Sequence, residues 1–269
     1  MKKRKGTKGK EHSDLQVTLV QTYLHWEDIS ANLHHFEKII RPLKNSTDLI
    51  VLPEMFTTGF SMNAKQLAEK MDGKTIRWMK RMAQEVKAVI AGSIILQDKE
   101  KHYNRFIWMR PDGTHAHYDK RHLFGMGGEQ KYYAAGKKRL LVSLNGWRIC
   151  PQVCYDLRFP VWNRNRNDYD VLIFVANWPE RRNFAWKHLL QARAIENQCY
   201  VIGVNRIGRD GHGVYHSGDS ALIDPLGEVV FTQADIPFTS TFRLSRKRLD
   251  YVRSKLPFLK DADHFEIYT

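Results

Sequence analysis

Two short, uninterrupted apolar runs limit most strongly what this chain can fold into. Asp48–Pro53 (DLIVLP) and Val171–Ala176 (VLIFVA) present no polar face, so each reads as a strand covered by protein on both sides. Amphipathic helices alternate with such strands. From Glu27 to Lys44 the apolar positions Ile29, Leu33, Phe36, Ile40 and Leu43 recur every three or four residues. Glu27 and Asp28 suit the positive end of that helix dipole. Leu67–Val86 reads as helix with a break near Asp72-Gly73, Asn183–Gln198 as another, and Ser245–Arg253 as a short last one. Leu15–Gln21, Ala88–Leu96, Tyr103–Arg110, Thr114–Asp119, Arg139–Leu144, Trp147–Val153, Tyr200–Asn205, Ser220–Ile223, Glu228–Phe231 and Phe238–Leu244 read as further strands. Pro111-Asp112-Gly113, Asn145-Gly146 and Asp224-Pro225-Leu226-Gly227 are turn signals that fold three pairs of them into hairpins. The pattern predicts a layered α/β sandwich, one domain over residues 13–269.

A chain of 269 residues can bury roughly 75% of its unfolded surface and needs no disulfide or metal to fold. Its 42% hydrophobic content excludes disorder and collagen-like repeats. No apolar run of about 20 residues is present, so no membrane-spanning helix is expected, and the N-terminus lacks the apolar stretch of a secretory signal. Three cysteines are too few for a disulfide framework and fit a reducing cytoplasm. The formal net charge is +14, and six of those charges sit in Met1–Lys10, where there is no acid. Residues 1–12 read as a basic disordered tail, with contact to nucleic acid or a membrane surface as the alternative. Elsewhere no basic stripe interleaved with aromatics exists, so single-strand nucleic-acid binding is not expected.

Reactive residues end three of the strands. Glu54 follows the DLIVLP run, where partial burial raises a carboxyl toward general-base range; an ordinary strand-end acid is the other reading. Lys120 ends a hairpin strand and is either an anion-stabilising cation or a solvated one. Cys154 stands where Trp147–Val153 gives way to a turn, with backbone N–H groups near its thiol. Cys150 and Cys199 read as core. Cys150 and Cys154 lack redox or zinc spacing, and His115, His117 and His122 lack paired acids or cysteines, so no metal is expected.

Glu, Lys and Cys in this order, each at a strand end, are far more specific together. From about Leu15 to Phe242 the chain resembles the nitrilase (carbon–nitrogen hydrolase) superfamily. The resemblance rests on Leu52-Pro53-Glu54-Met55, Tyr118-Asp119-Lys120-Arg121-His122-Leu123-Phe124 and Cys154-Tyr155-Asp156-Leu157-Arg158-Phe159-Pro160. Arg193–Gln198, Gly218-Asp219-Ser220 and Asp224–Gly227 also match. Val175–Pro179 and Gly203–Arg206 are similar to the bacterial omega-amidase branch.

The resemblance implies a four-layer αββα sandwich that often forms homodimers or larger homo-oligomers. It implies Cys154 as nucleophile, Glu54 as general base, and Lys120 with the backbone N–H of Tyr155 as oxyanion holder. Glu129 matches the family's second glutamate, although Ala135 replaces the usual proline before Gly136. No cofactor is implied. The substrate would be a small dicarboxylate monoamide such as 2-oxoglutaramate or 2-oxosuccinamate. Nitriles, carbamoyl-amides and other small amides are the enzymic alternatives, because the triad is shared by all. A basic nucleic-acid-binding module is the non-enzymic one.

The substrate's free carboxylate calls for a cation that the triad does not supply. Arg181 and Arg182 are the preferred candidates. Arg158 is a third, with a structural pairing to Asp156 or another acid as its alternative. Trp178 reads equally as pocket wall or core. Arg193 and Glu196 read as a supporting pair on a helix, and His212 and His216 as solvated-loop residues near the entrance. Phe258, Phe265, Ile267 and Tyr268 are expected to pack on the domain or on a symmetric partner.

Overall fold

The computed structural model describes residues 13–268, so the basic tail expected over 1–12 lies outside the described residues. The first sheet has the order β13 (Phe238–Leu244), β1 (Leu15–Gln21), β2 (Leu49–Val51), β3 (Val89–Asp98), β4 (Lys101–Met109) and β5 (His115–Asp119). The second runs β10 (Ile207–Arg209), β11 (Tyr215–Ile223), β9 (Tyr200–Asn205), β8 (Val171–Ala176), β7 (Trp147–Val153) and β6 (Val142–Leu144), with β12 (Val229–Ala234) also pairing with β11. The helices are α1 (Ile29–Ile40), α2 (Ala64–Leu67), α3 (Lys74–Val86), α4 (Pro160–Asn163), α5 (Asn183–Asn197) and α6 (Arg246–Lys255).

Alternation within the apolar runs builds the layers. In β8, Val171, Ile173 and Val175 face a core shared by the two sheets, while Leu172 and Phe174 face Trp186, Leu190 and Ala194 of α5. Around β2, Leu49 and Val51 enter the shared core, while Ile50 and Leu52 meet Leu33, Phe36 and Ile40 of α1 and Trp78, Met79 and Met82 of α3. The order is therefore helix, sheet, sheet, helix, the expected αββα sandwich. Each of these fully buried aliphatic side chains contributes roughly 1.5–3 kcal/mol.

Local differences from the expectation have physical causes. Asp28, not Glu27, caps α1, accepting from the Ala31 N–H at 2.9 Å. Glu27 turns away with φ 54° and takes the Ser61 hydroxyl. The helix expected from Leu67 begins only at Lys74, because Glu69 pairs with Leu96 beside β3. Arg139–Leu144 shortens to Val142–Leu144. The Asn145-Gly146 hairpin forms as expected, both residues with positive φ.

In the tail, Ile267 packs against the shared core. Phe265 lies under Arg166 at 4.7 Å, whereas Phe258 and Tyr268 are exposed. No helix among the described residues is long and apolar enough to cross a membrane.

Candidate active site

The parallel strands β2, β7 and β8 end on the same side of the molecule, and the residues just past their C-terminal ends converge there. Glu54 follows β2, Cys154 follows β7 and Asn177 follows β8. Lys120 follows β5, its N–H donating to Asn104 O of β4 at 3.0 Å. Glu129 comes from a short turn after the glycine-rich segment Gly125–Gly128. Gly136, after the Ala135 that stands in place of the family's proline, donates its N–H to Lys120 O at 2.9 Å. A Cβ at this glycine would lie 2.0 Å from Asp119 O, so the backbones approach too closely for any side chain.

Glu54, Lys120 and Glu129 are all buried. Lys120 Nζ donates to Glu54 Oε1 at 3.0 Å and to Glu129 Oε2 at 2.9 Å. Burial works against the ammonium, yet Glu129 and Glu54 outweigh it and hold Lys120 above its ordinary value. Burial lifts the Glu129 carboxyl above the usual carboxylate range, Lys120 pulling it down and Glu54 pushing it up. Two asparagines complete this cluster: Asn104, absent from the sequence reading, and Asn177, which it places in a matching motif without a role. Asn104 Nδ2 donates to Glu54 Oε1 at 2.7 Å, and the Asn177 N–H to Glu54 Oε2 at 2.8 Å. Asn177 thereby joins the Glu54 carboxylate, held by the first sheet, to the second.

Cys154 opens a 3-10 turn in the left-handed region at φ 45°, which aims its thiol into the pocket. Burial and the neighbouring Glu54 carboxylate push the thiol well above its ordinary pKa, against the pull of Lys120. Cys150 and Cys199 are fully buried in the core under α5, as expected.

The pocket has a volume of about 480 Å³ and is walled by Phe60, Met62, Phe124, Met126 and Trp178 among others. Both readings of Trp178 hold: it lines the pocket and packs with Trp186 at 5.4 Å. Arg158, Arg181 and Arg182 line the same cavity. Arg158 lies over the Trp178 ring at 4.9 Å and Arg182 over the Phe124 ring at 5.0 Å. Burial, then the neighbouring Arg181, holds Arg182 below its ordinary value. None of the three has a carboxylate partner among the described residues. The expected alternative pairing of Arg158 with Asp156 is not made, because Asp156 is filled by Tyr118, His122 and Val153. Lys187 and Asn183 both reach Asp219, at 2.7 and 3.3 Å, pinning the helix that follows Arg181-Arg182. Arg193 pairs with Glu196 at 2.9 Å and also grips Leu157 O, the supporting role expected.

His212 and His216 both line the pocket. His212 is exposed, edge-on to Trp26. His216, expected in a solvated loop, is instead buried on β11, because β10 pairs there and encloses it. Burial, then Arg206, lowers its pKa to about 4 against the opposing pull of Asp210. A histidine depressed in the folded state adds stability that is present above its unfolded pKa, about 6.5, and lost as pH falls toward 4. Urea unfolding at pH 7.5 and 4.5 should show a loss of roughly 2.5 kcal/mol from this site, much reduced in His216→Asn.

The carbon–nitrogen hydrolase family profile matches residues 16–241. The chain belongs to this family, and as such is an enzyme that hydrolyses carbon–nitrogen bonds. It is 48% identical over 256 residues to omega-amidase YafV of Escherichia coli strain K12, covering 94% of this chain and 99% of that protein. It is 34% identical to the 2-oxoglutaramate amidase of Bacillus subtilis strain 168, covering 80% of this chain and 84% of that enzyme. The crystal structure of XC1258, a CN-hydrolase superfamily protein of Xanthomonas campestris with an arsenic adduct in its active site, superposes with a TM-score of 0.94. The two chains share 45% identity, with 95% of this chain and all of that one covered.

Proposed function

We propose that this chain is an omega-amidase that releases ammonia from the terminal amide of a short 2-oxo dicarboxylate monoamide, of the 2-oxoglutaramate or 2-oxosuccinamate kind. The observation that carries the reading is the polarity of one pocket. A thiol, a carboxylate and an ammonium line the same cavity as three guanidiniums that have no salt-bridge partner among the described residues. The names of the relatives at 48% and 34% identity support the same reading.

Cys154 is the nucleophile. Glu54 takes the thiol proton as sulfur attacks the amide carbon, and the developing oxyanion is held by Lys120 and the Tyr155 N–H. The proton passes from Glu54 to the departing nitrogen, which leaves as ammonia. Glu54 then deprotonates the water that splits the thioester, giving the carboxylic acid and the free thiol. Glu129 fixes Lys120 and orients the entering water.

The substrate's distal carboxylate is taken by Arg181 or Arg182, with Arg158 the third candidate; Arg182 is the half-buried member of the adjacent pair. A planar guanidinium matches a carboxylate better than an ammonium does. Replacing the anchoring arginine by alanine should cost the charged amide roughly 2–4 kcal/mol in kcat/KM and change a neutral amide of equal length little. Ammonia release from both substrates, and from the matching nitrile, tests the assignment. A wild-type preference for the neutral amide or the nitrile would overturn it.

Residues 13–269 form the catalytic unit, acting in the cytoplasm as a homodimer or larger assembly. The free state of Cys150, Cys154 and Cys199 and the exposed Phe258 and Tyr268 support this. Sedimentation at micromolar concentration, with and without residues 256–269, tests the assembly. A monomer unchanged by the deletion contradicts it.

A further inference from the structure

One carboxylate outside the proposed triad grips the chain on both sides of Lys120 and immediately before Cys154. Asp156 is fully buried. Its Oδ1 accepts from the His122 backbone N–H at 2.9 Å and lies 2.8 Å from His122 Nδ1. Its Oδ2 accepts from the Tyr118 hydroxyl at 2.8 Å and from the Val153 N–H at 3.1 Å. The Tyr118 oxygen itself accepts from Trp162 Nε1 at 3.0 Å and from the Arg121 N–H at 3.1 Å, so its proton is left for Asp156. The His122 ring is stacked on Phe159 at 3.7 Å, which fixes its orientation. Residues 118, 121 and 122 are thus tied, directly or through one oxygen, to the turn that carries the thiol. That turn holds Cys154 in a backbone conformation unfavourable for a side-chain-bearing residue.

We infer that Asp156 is a positioning residue for the reaction: it locks the strained Cys154 turn to the Lys120 segment, setting the thiol, the ammonium and the Tyr155 N–H in register. This rests on the proposed role of Cys154 as nucleophile. An asparagine cannot replace it. If the amide NH2 occupies the Oδ1 place, it opposes the His122 backbone N–H. If it occupies the Oδ2 place, it opposes the Val153 N–H. Histidine can change tautomer and tyrosine can turn its hydroxyl, but a backbone N–H can do neither. A donor facing a donor in a buried site forces the two segments apart.

The test uses Asp156→Asn and Tyr118→Phe, which keeps the ring, removes one donor to Oδ2 and takes away the acceptor of the Trp162 and Arg121 N–H groups. Two measurements are made on each. The first is kcat and KM for the amide, per titratable thiol. The second is the pH profile of Cys154 alkylation by iodoacetamide, which needs no substrate and so does not depend on the omega-amide assignment. Asp156→Asn should lower kcat by about 10²-fold with KM within about threefold, and should slow and shift the alkylation profile. Tyr118→Phe should show the same pattern at about five- to tenfold. If Asp156→Asn does not fold, Tyr118→Phe decides alone. Unchanged alkylation profiles, with activity losses that follow only the fraction of folded protein, would reduce Asp156 to a structural residue and overturn the inference.

Discussion

Cys154→Ala should yield a folded protein whose ammonia release falls by about 10⁴-fold or more, to background. The small side chain leaves the turn and its Asp156 contacts in place, so loss of turnover is not loss of fold. The other two cysteines provide the control. Cys150 and Cys199 lie fully buried beneath α5, away from the pocket, and burial pushes the Cys150 thiol up to about 11. The Cys199 thiol is raised as well, by the same burial. A raised pKa therefore does not single out the nucleophile, since all three thiols rest protonated. What separates Cys154 is its place in the pocket beside a carboxylate able to take its proton. Cys150→Ala and Cys199→Ala should retain kcat and lose about 1 kcal/mol or somewhat more of stability through small cavities. Iodoacetamide should label one thiol in the folded wild type and none in Cys154→Ala. Substantial turnover by Cys154→Ala would exclude a covalent thioester.

The layers were legible in the sequence because burial on two faces leaves a run without polar positions. DLIVLP and VLIFVA sent alternate side chains into the two cores their pattern required. The sandwich's local pairings were less legible. Ile207-Gly208-Arg209 and Tyr215–Asp219 look like loop, being short and glycine-rich, yet they pair as β10 with β11 and enclose His216. Their strand character comes from the sheet beside them, not from propensity. The one-turn α2 and the bridge at Glu69 are likewise imposed by β3, which lies next to them.

In the site, residues at strand ends stood out because reactive groups there interrupt an apolar pattern. Asn104 carried no such mark. It sits within β4, fifty residues from Glu54 in sequence, and reaches the carboxylate only because β3 pairs with both β2 and β4. Asn177 was visible within its motif, but its bridge to Glu54 depends on one sheet lying over the other. Neighbours in sequence also misled: Arg158 and Asp156 are close along the chain, yet the turn sends Asp156 inward and Arg158 across Trp178 into the pocket.

Glu54→Gln should lower kcat by about 10²- to 10⁴-fold, and the reason goes beyond loss of a base. Both carboxylate oxygens are occupied by donors: Oε1 by Lys120 and Asn104, Oε2 by the Asn177 N–H. A glutamine places its NH2 against one of these sets in either orientation, so the pocket must also adjust around a donor facing a donor. Lys120 loses one of its two counter-charges and keeps Glu129 at 2.9 Å, so the ammonium remains paired and the lesion stays local. The fold should survive with reduced stability. The partial reactions then locate the base. If Glu54 acts in both halves, mixing enzyme with excess amide gives neither steady turnover nor a burst of ammonia. If it acted only on the water, the thioester would still form and one equivalent of ammonia would appear quickly before the reaction stalled. The thiol's elevated pKa argues for the first outcome, because a protonated sulfur needs a base before it can attack. Near-wild-type rates in Glu54→Gln would remove this carboxylate from the mechanism.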